Sequence, residues 1–225
     1  MKKLNILAIS GAVACSLLSA TAAAEVTANV GATSSYLWRG TSLSNDDAAV
    51  YGGVDYAHKS GAYIGLWQST ENVTGSSADG LETDGFTGSE TDVYLGYGGE
   101  VGDFTYDVGY ITYNYLQSEA DVDFSEIYLS GGWKFVELFY ANSSDVRIGN
   151  GKGSDYYSVT LTYDRYSFVY GDYSFDDGSA DADYSHFDLS AALTDELSLT
   201  YSQNDITGDD DGRIVVSYTL EFGVK

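Results

Sequence analysis

Residues 213–224 read RIVVSYTLEFGV, and along this stretch apolar side chains recur at every second position. The apolar series is Ile214, Val216, Tyr218, Leu220 and Phe222. The residues between them are mostly polar. Strict alternation over this length predicts a β-strand with one apolar face. The whole chain lacks proline, which suits strands whose ladder hydrogen bonds are uninterrupted.

The same alternation recurs from residue 26 onward. Near the start, Val26, Ala28 and Val30 share one face, and Thr27 and Asn29 take the other. The pattern predicts strands at 26–38, 48–57, 61–69, 90–98, 104–115, 124–130, 135–141, 155–163, 166–173, 184–193, 197–203 and 213–224. We therefore expect an all-β chain that forms a single antiparallel up-and-down β-barrel of about 12 strands, with 10 strands as the alternative.

The connections between these strands alternate in length. The short ones lie at 58–60, 99–103, 131–134, 164–165 and 194–196, and the longer ones at 39–47, 70–89, 116–123, 142–154, 174–183 and 204–212. Outer-membrane barrels join their strands by short periplasmic turns and longer extracellular loops. A soluble β-sandwich has no reason to alternate in this way.

The first residues have the features of an export signal. Lys2 and Lys3 precede an apolar stretch, and Ala22–Ala24 offer a small-residue cleavage site. We predict a signal peptide at 1–24 and a barrel at 25–225. An alternative interpretation treats Cys15 as a lipoprotein cleavage site, although the residues that follow it are still apolar.

No later apolar run approaches the roughly 18 residues of a membrane-spanning helix. An exported chain of this kind can cross lipid only as a closed barrel, because lipid offers no partner for unpaired backbone groups. We therefore expect a transmembrane barrel in the outer membrane of a Gram-negative cell. Its predicted partners are outer-membrane lipid and lipopolysaccharide, the barrel-assembly machinery and small polar solutes.

The chain is strongly acidic, with a formal net charge of −24. Such a charge argues against nucleic acid as a partner. Much of the acid falls in the long connections, which are either simply solvated, or favour cations, or bridge divalent ions to lipopolysaccharide. Runs such as Asp209–Asp211 lack the spacing of a calcium loop, so we assign no metal site and no cofactor.

In such a barrel the apolar series faces lipid and the polar series lines the lumen. The predicted pore-lining residues are Asn29, Asp55, Asp92, Asp107, His186 and Asp188. Arg39 follows Trp38 at the predicted end of the first strand. It is a candidate for the pore mouth, facing acidic groups, but the favoured interpretation is an arginine that snorkels to the membrane interface.

Residues 34–69, SSYLWRGTSLSNDDAAVYGGVDYAHKSGAYIGLWQS, resemble the opening of the TorF family of porins. The shared tract is Ser–x–Tyr–x–x–Arg–Gly, then Gly-Gly–x–Asp-Tyr, then Gly–x–Tyr–x–Gly–x–Trp. Matching positions are Ser34, Tyr36, Arg39, Gly40, Gly52, Gly53, Asp55, Tyr56, Gly61, Tyr63, Gly65 and Trp67, followed by Glu90, Asp92, Tyr94, Gly96, Tyr97, 106–109 and 124–128. Leu116 departs from the pattern, where a proline is expected. The resemblance implies an outer-membrane barrel and supplies no catalytic residues.

These features favour a porin-like channel for passive diffusion of small polar or cationic solutes. One alternative is a non-conducting structural or adhesive barrel. Another is an outer-membrane hydrolase, for which His186 beside Asp183, Asp188 and Ser185 is the candidate base, although Ser185 falls on the opposite face. A secreted soluble β-protein is the fourth possibility. We expect no enzyme activity.

Overall fold

The computed structural model describes residues 24–76, 82–116, 123–143, 153–176 and 183–224. The predicted signal peptide at 1–24 lies outside this part of the chain, apart from its last residue. The described residues contain no apolar helix of membrane-spanning length.

The described residues form fourteen strands. They are β1 (Glu25–Thr33), β2 (Leu37–Trp38), β3 (Thr41–Ser42), β4 (Ala49–Ala57), β5 (Ala62–Ser76), β6 (Glu82–Val101), β7 (Phe104–Leu116), β8 (Phe124–Trp133), β9 (Val136–Ser143), β10 (Ser154–Tyr163), β11 (Tyr166–Phe175), β12 (Tyr184–Ala192), β13 (Leu197–Asn204) and β14 (Arg213–Val224). All except β2 and β3 belong to one closed barrel.

The barrel closes where the first strand meets the last. β1 pairs antiparallel with β14, from Val26 opposite Val224 to Thr33 opposite Ser217, and on its other side with β4. Each remaining barrel strand pairs with its neighbours in sequence. The prediction of an all-β antiparallel barrel is confirmed, with twelve strands rather than the alternative ten.

The strand boundaries differ from the prediction by large amounts in two places. The first strand ends at Thr33 rather than at residue 38, because the chain then leaves the wall and enters the barrel. The predicted loop at 70–89 is wrong, since β5 continues to Ser76 and β6 begins at Glu82. The polar residues of this stretch extend a two-stranded hairpin beyond the apolar part of the wall.

The two faces of the wall differ as the alternation predicts. The outward face is exposed and apolar, as in Val54, Leu95, Leu138 and Ile214. The inward face carries buried polar and aromatic side chains. Exposed aromatic rings also surround the end with short turns: Phe104, Trp133, Phe135, Tyr163 and Tyr166.

Several inward glycines lie directly opposite an aromatic residue of the neighbouring strand. The opposed pairs are Gly31–Tyr51, Gly65–Tyr94, Gly96–Tyr63, Gly109–Tyr128 and Gly171–His186. In each pair a Cβ on the glycine would overlap the ring. These glycines therefore make room for rings that lie against the wall, and they do not widen the lumen.

This packing predicts that Gly109→Ala destabilises the barrel. A methyl group at Gly109 overlaps the ring of Tyr128, which also shares a 2.6 Å hydrogen bond with Tyr63. We expect a loss of about 1–3 kcal/mol in the free energy of unfolding, typical of overpacking. Urea unfolding of the refolded protein measures it. The matched control is Gly131→Ala on the outward face, where the nearest atom is 3.5 Å away. Equal stability of the two variants would refute this packing.

Candidate functional site

The short strands β2 and β3 form a hairpin inside the barrel. Leu37 pairs with Ser42 and Trp38 with Thr41, which leaves Arg39 and Gly40 as a two-residue turn. Both turn residues have positive φ, 48° and 82°, as a type I′ turn requires. We call residues 37–42 the lumenal hairpin. Its tip is therefore the Arg-Gly pair of the motif identified in the sequence.

Gly40 is required at this tip for a second reason. A Cβ at this position would overlap His186 on the inner face of β12. The carbonyl oxygen of Gly40 also accepts a hydrogen bond from Asn204 Nδ2 at 2.8 Å. The backbone of the hairpin therefore lies directly against the wall formed by β12 and β13.

Arg39 crosses to the opposite part of the wall. Its Nη1 and Nη2 each donate a 2.7 Å hydrogen bond to Glu126, one to each carboxylate oxygen. Only 1% of the Arg39 side chain and 2% of the Glu126 side chain are exposed. Glu126 also accepts a hydrogen bond from the Tyr113 hydroxyl at 3.1 Å. The favoured expectation, an arginine at the membrane interface, is wrong because the side chain is buried in the lumen.

Aromatic rings surround the same guanidinium. Its central carbon lies 4.1 Å from the ring centroid of Tyr156, 4.5 Å from that of Trp38 and 5.2 Å from that of Tyr173. These distances are within the range of cation–π attraction. Burial disfavours the charged guanidinium, but the Glu126 carboxylate, together with Tyr113 and Tyr173, outweighs this effect, and the pKa of Arg39 is raised well above its ordinary value. The group is therefore a permanent cation.

Two further contacts hold the segment around the hairpin. The Tyr36 hydroxyl donates a 2.5 Å hydrogen bond to Glu90, which is fully buried. The ring of Trp38 meets Tyr113, Phe124 and Tyr173 edge-on, with centroids 5.6–6.2 Å apart. The hairpin therefore shares an aromatic core with the wall at the end of the barrel that carries the long connections.

The six predicted pore-lining residues all lie on the inner face. Asp92, Asp107, His186 and Asp188 are buried, and Asn29 and Asp55 are half-buried. Asp107 accepts a 2.6 Å hydrogen bond from Tyr63, and Asp55 accepts one from Tyr94. Of the six, the structure pairs His186 with Asp188. The distance from His186 Nδ1 to Asp188 Oδ2 is 3.5 Å. Their role in lining a pore stays a prediction.

The arrangement around His186 does not resemble a catalytic dyad with Ser185. His186 Nε2 lies 2.9 Å from the Tyr156 hydroxyl, on the inner face. Ser185 is hydrogen-bonded instead to Asp205, at 2.8 Å from its hydroxyl. Because neighbouring residues of a strand point to opposite faces, Ser185 cannot serve as a nucleophile for this histidine.

The inner wall is strongly acidic. Its inward carboxylates include Asp55, Glu71, Glu90, Asp92, Asp107, Glu126, Glu137 and Asp188. Within the barrel strands as described, Arg213 is the only lysine or arginine. It lies at the start of β14 and pairs with Asp46, at 2.7 Å, and with Asp209. In the part of the chain that the structure describes, Arg39 is therefore the lysine or arginine that is paired with a buried acid of the wall, Glu126.

Glu126, Tyr156 and Tyr173 are the partners of Arg39 that sequence reasoning did not single out. Alternation places all three on the inner face, but it does not say which inward residues meet a loop that folds into the lumen. One signal was available for Glu126. It lies in the 124–128 segment that shares in the family resemblance, as Arg39 does in the 34–69 tract.

Comparison with solved structures gives the class of fold. The chain superimposes on a structure described as "KdgM porin" with a TM-score of 0.52 at 9% sequence identity, covering 88% of this chain and 99% of that chain. A NanC porin structure gives a TM-score of 0.43 at 13% identity, covering 89% and 99%. The first of these likenesses concerns the fold alone, and the second is too weak to bear on it. The chain has the fold of a porin-like barrel.

A sequence profile then gives the family. The profile described as "Bacterial protein of unknown function (Gcw_chp)" matches residues 18–221, and the chain belongs to this family. No curated protein matches the sequence. The description of the profile does not carry the TorF name, so that resemblance stays a prediction.

The buried ion pair predicts a strong coupling between Arg39 and Glu126. Arg39→Ala leaves a buried carboxylate without its cation, so we expect the free energy of unfolding to fall by about 3–5 kcal/mol. Adding Glu126→Gln removes the uncompensated charge and should restore part of the loss. Urea unfolding of the single and double variants measures both effects. If the loss of unfolding free energy in the double variant equalled the sum of the losses in the two single variants, the pair would not be coupled.

Proposed function

We propose that this protein is a porin-like channel of the outer membrane that passes small polar or cationic solutes. The observation that carries the proposal is the contrast between the two faces of one closed wall. Over the described strands, apolar side chains cover the outside and carboxylates line the inside almost without basic residues. A lumen of one sign focuses the electric field and concentrates ions of the opposite sign.

The outward face supports placement in a membrane. Aromatic rings lie near both ends of the apolar wall, with Trp133, Tyr163 and Tyr166 beside the short turns and Tyr157 and Tyr170 toward the long connections. Aromatic girdles of this kind mark the two interfaces of outer-membrane barrels. By the same rule, the short turns face the periplasm. Contacts with lipopolysaccharide and with the barrel-assembly machinery belong to this proposal.

Toward the short turns, the lumen is partly open to solvent. Asn29, Asp55, Ser158 and Glu137 are half-buried there, whereas the inward residues around the lumenal hairpin are mostly buried. A cation that enters from this end meets carboxylates first. The hairpin then stands between this vestibule and the long connections, so its position sets the conductance.

The lumenal hairpin fills the lumen near the long connections. This also favours a second function, a structural barrel that does not conduct. Both functions share the fold, and they differ in whether the hairpin ever leaves its place. A channel requires either a gap beside the hairpin or its displacement. A structural barrel requires neither, so electrical recording separates the two.

Cation preference is the first measurable consequence. In planar bilayers with a KCl gradient, the wild-type protein should give a reversal potential that favours K⁺ over Cl⁻. Combining Asp107→Asn with Glu137→Gln removes two lumen carboxylates and should shift the reversal potential toward the nonselective value. Asp172→Asn is the matched control, because Asp172 is exposed and alternation places it on the outer face.

An anion-selective wild-type current, or an equal shift from the control variant, would contradict the proposed channel.

Gly40→Val tests the role of the hairpin in the same recordings. The added side chain overlaps His186 and is strained at a φ of 82°, so it should push the tip from the wall and raise the conductance. Complete absence of current from both proteins would favour the structural barrel.

A further inference from the structure

The groups around the Arg39 guanidinium are arranged like those of a binding site around its ligand. Its guanidinium is held by both oxygens of Glu126 at 2.7 Å and faces the rings of Tyr156 and Tyr173. Paired hydrogen bonds to a carboxylate match the planar fork of a guanidinium better than the point charge of an ammonium. The wall therefore presents the chemistry that recognises a guanidinium.

All of these wall groups belong to barrel strands. Glu126 lies on β8, Tyr156 on β10 and Tyr173 on β11, while Tyr113, which also binds Glu126, lies on β7. Their backbones are held by the strand pairing of the barrel and not by the hairpin. Arg39, in contrast, is at the tip of a two-residue turn that joins two strands of two residues each.

The turn itself does not call for arginine. Its first residue has a φ of 48°, a region in which glycine, asparagine and aspartate are favoured. An arginine there adopts an unfavourable backbone conformation, and its side chain fits the wall closely. The fit between side chain and wall therefore accounts for the residue better than the turn does.

From these observations we propose that the wall holds a binding site for solutes that carry a guanidinium group, and that Arg39 occupies this site as an internal substitute. Glu126 supplies the carboxylate, and Tyr156 and Tyr173 supply the ring faces. Entry of such a solute displaces the arginine and releases the tip of the hairpin. This inference rests on the proposed channel and names the solute class that its lumen would select.

The carboxylates around the site give such a solute a path. Glu90 and Asp92 lie on the inner face of β6, and Asp107 and Asp188 lie on β7 and β12. A cation leaving Glu126 therefore meets another acid in either direction along the lumen. In the described barrel strands, the only lysine or arginine is Arg213, at the start of β14, so no other basic residue of these strands interrupts the series of acids.

The test is chemical rescue of the Arg39→Ala variant in detergent micelles. Millimolar methylguanidinium should raise its unfolding temperature by filling the vacated place beside Glu126. Urea, which is planar but uncharged, should not. The Arg39→Ala/Glu126→Gln double variant should show no rise with either compound. A rise of equal size in the double variant, or none in Arg39→Ala, would overturn the proposed site.

A second measurement keeps Arg39 in place, in case the variant fails to assemble. Leu37→Cys puts a thiol on the buried hairpin, and the only native cysteine is Cys15 in the predicted signal peptide. If methylguanidinium competes with Arg39 for Glu126, it should speed the reaction of this thiol with a water-soluble maleimide, whereas urea should not. Equal labelling rates with the two compounds would count against the site.

The two proposals can fail separately. If the wild-type protein conducts cations but methylguanidinium neither rescues Arg39→Ala nor speeds labelling, the channel stands and the guanidinium site falls. If methylguanidinium rescues the variant but neither it nor K⁺ carries current through the wild-type protein, the site stands and the channel falls.

Discussion

The pairing of β1 with β14 is the constraint on which the rest of the structure depends. An open sheet would leave a row of backbone groups without hydrogen-bond partners along each of its two edges. Closing the sheet through Val26–Thr33 and Ser217–Val224 removes both edges. Closure also divides every strand into an outer and an inner series, so the same alternation that covers the outside with apolar side chains fills the inside with acids and aromatic rings.

An acidic interior creates a problem that the lumenal hairpin partly solves. Carboxylates buried without partners are costly, and hydrogen bonds from tyrosines reduce this cost for Asp55, Glu90 and Asp107. Glu126 receives a full counter-charge from Arg39. The chain that leaves β1 at Thr33 enters the barrel instead of continuing the wall, and it brings this cation with it. The charge balance of the interior and the position of the lumenal hairpin therefore depend on the same ion pair.

Much of the barrel follows from the sequence, because a period of two is a direct consequence of strand geometry. The twelve strands and the inward position of residues such as Asp107 and Asp188 need no other information. The lumenal hairpin could not be predicted in this way. Alternation continues through Tyr36 and Trp38 and imitates a longer first strand, and nothing in the local pattern shows that residues 37–42 turn inward. The wall partners of Arg39 come from three distant strands, and only the tertiary structure brings them together.

The position of the hairpin is the claim on which the account of the lumen depends, and site-specific thiol labelling tests it most directly. Leu37→Cys should be protected from a water-soluble maleimide in the folded protein, because Leu37 is 2% exposed. Asn45→Cys, in the same connection but exposed, should react fast. After unfolding in urea, the two thiols should react alike. Rapid labelling of Leu37→Cys in the folded barrel would contradict a hairpin that occupies the lumen.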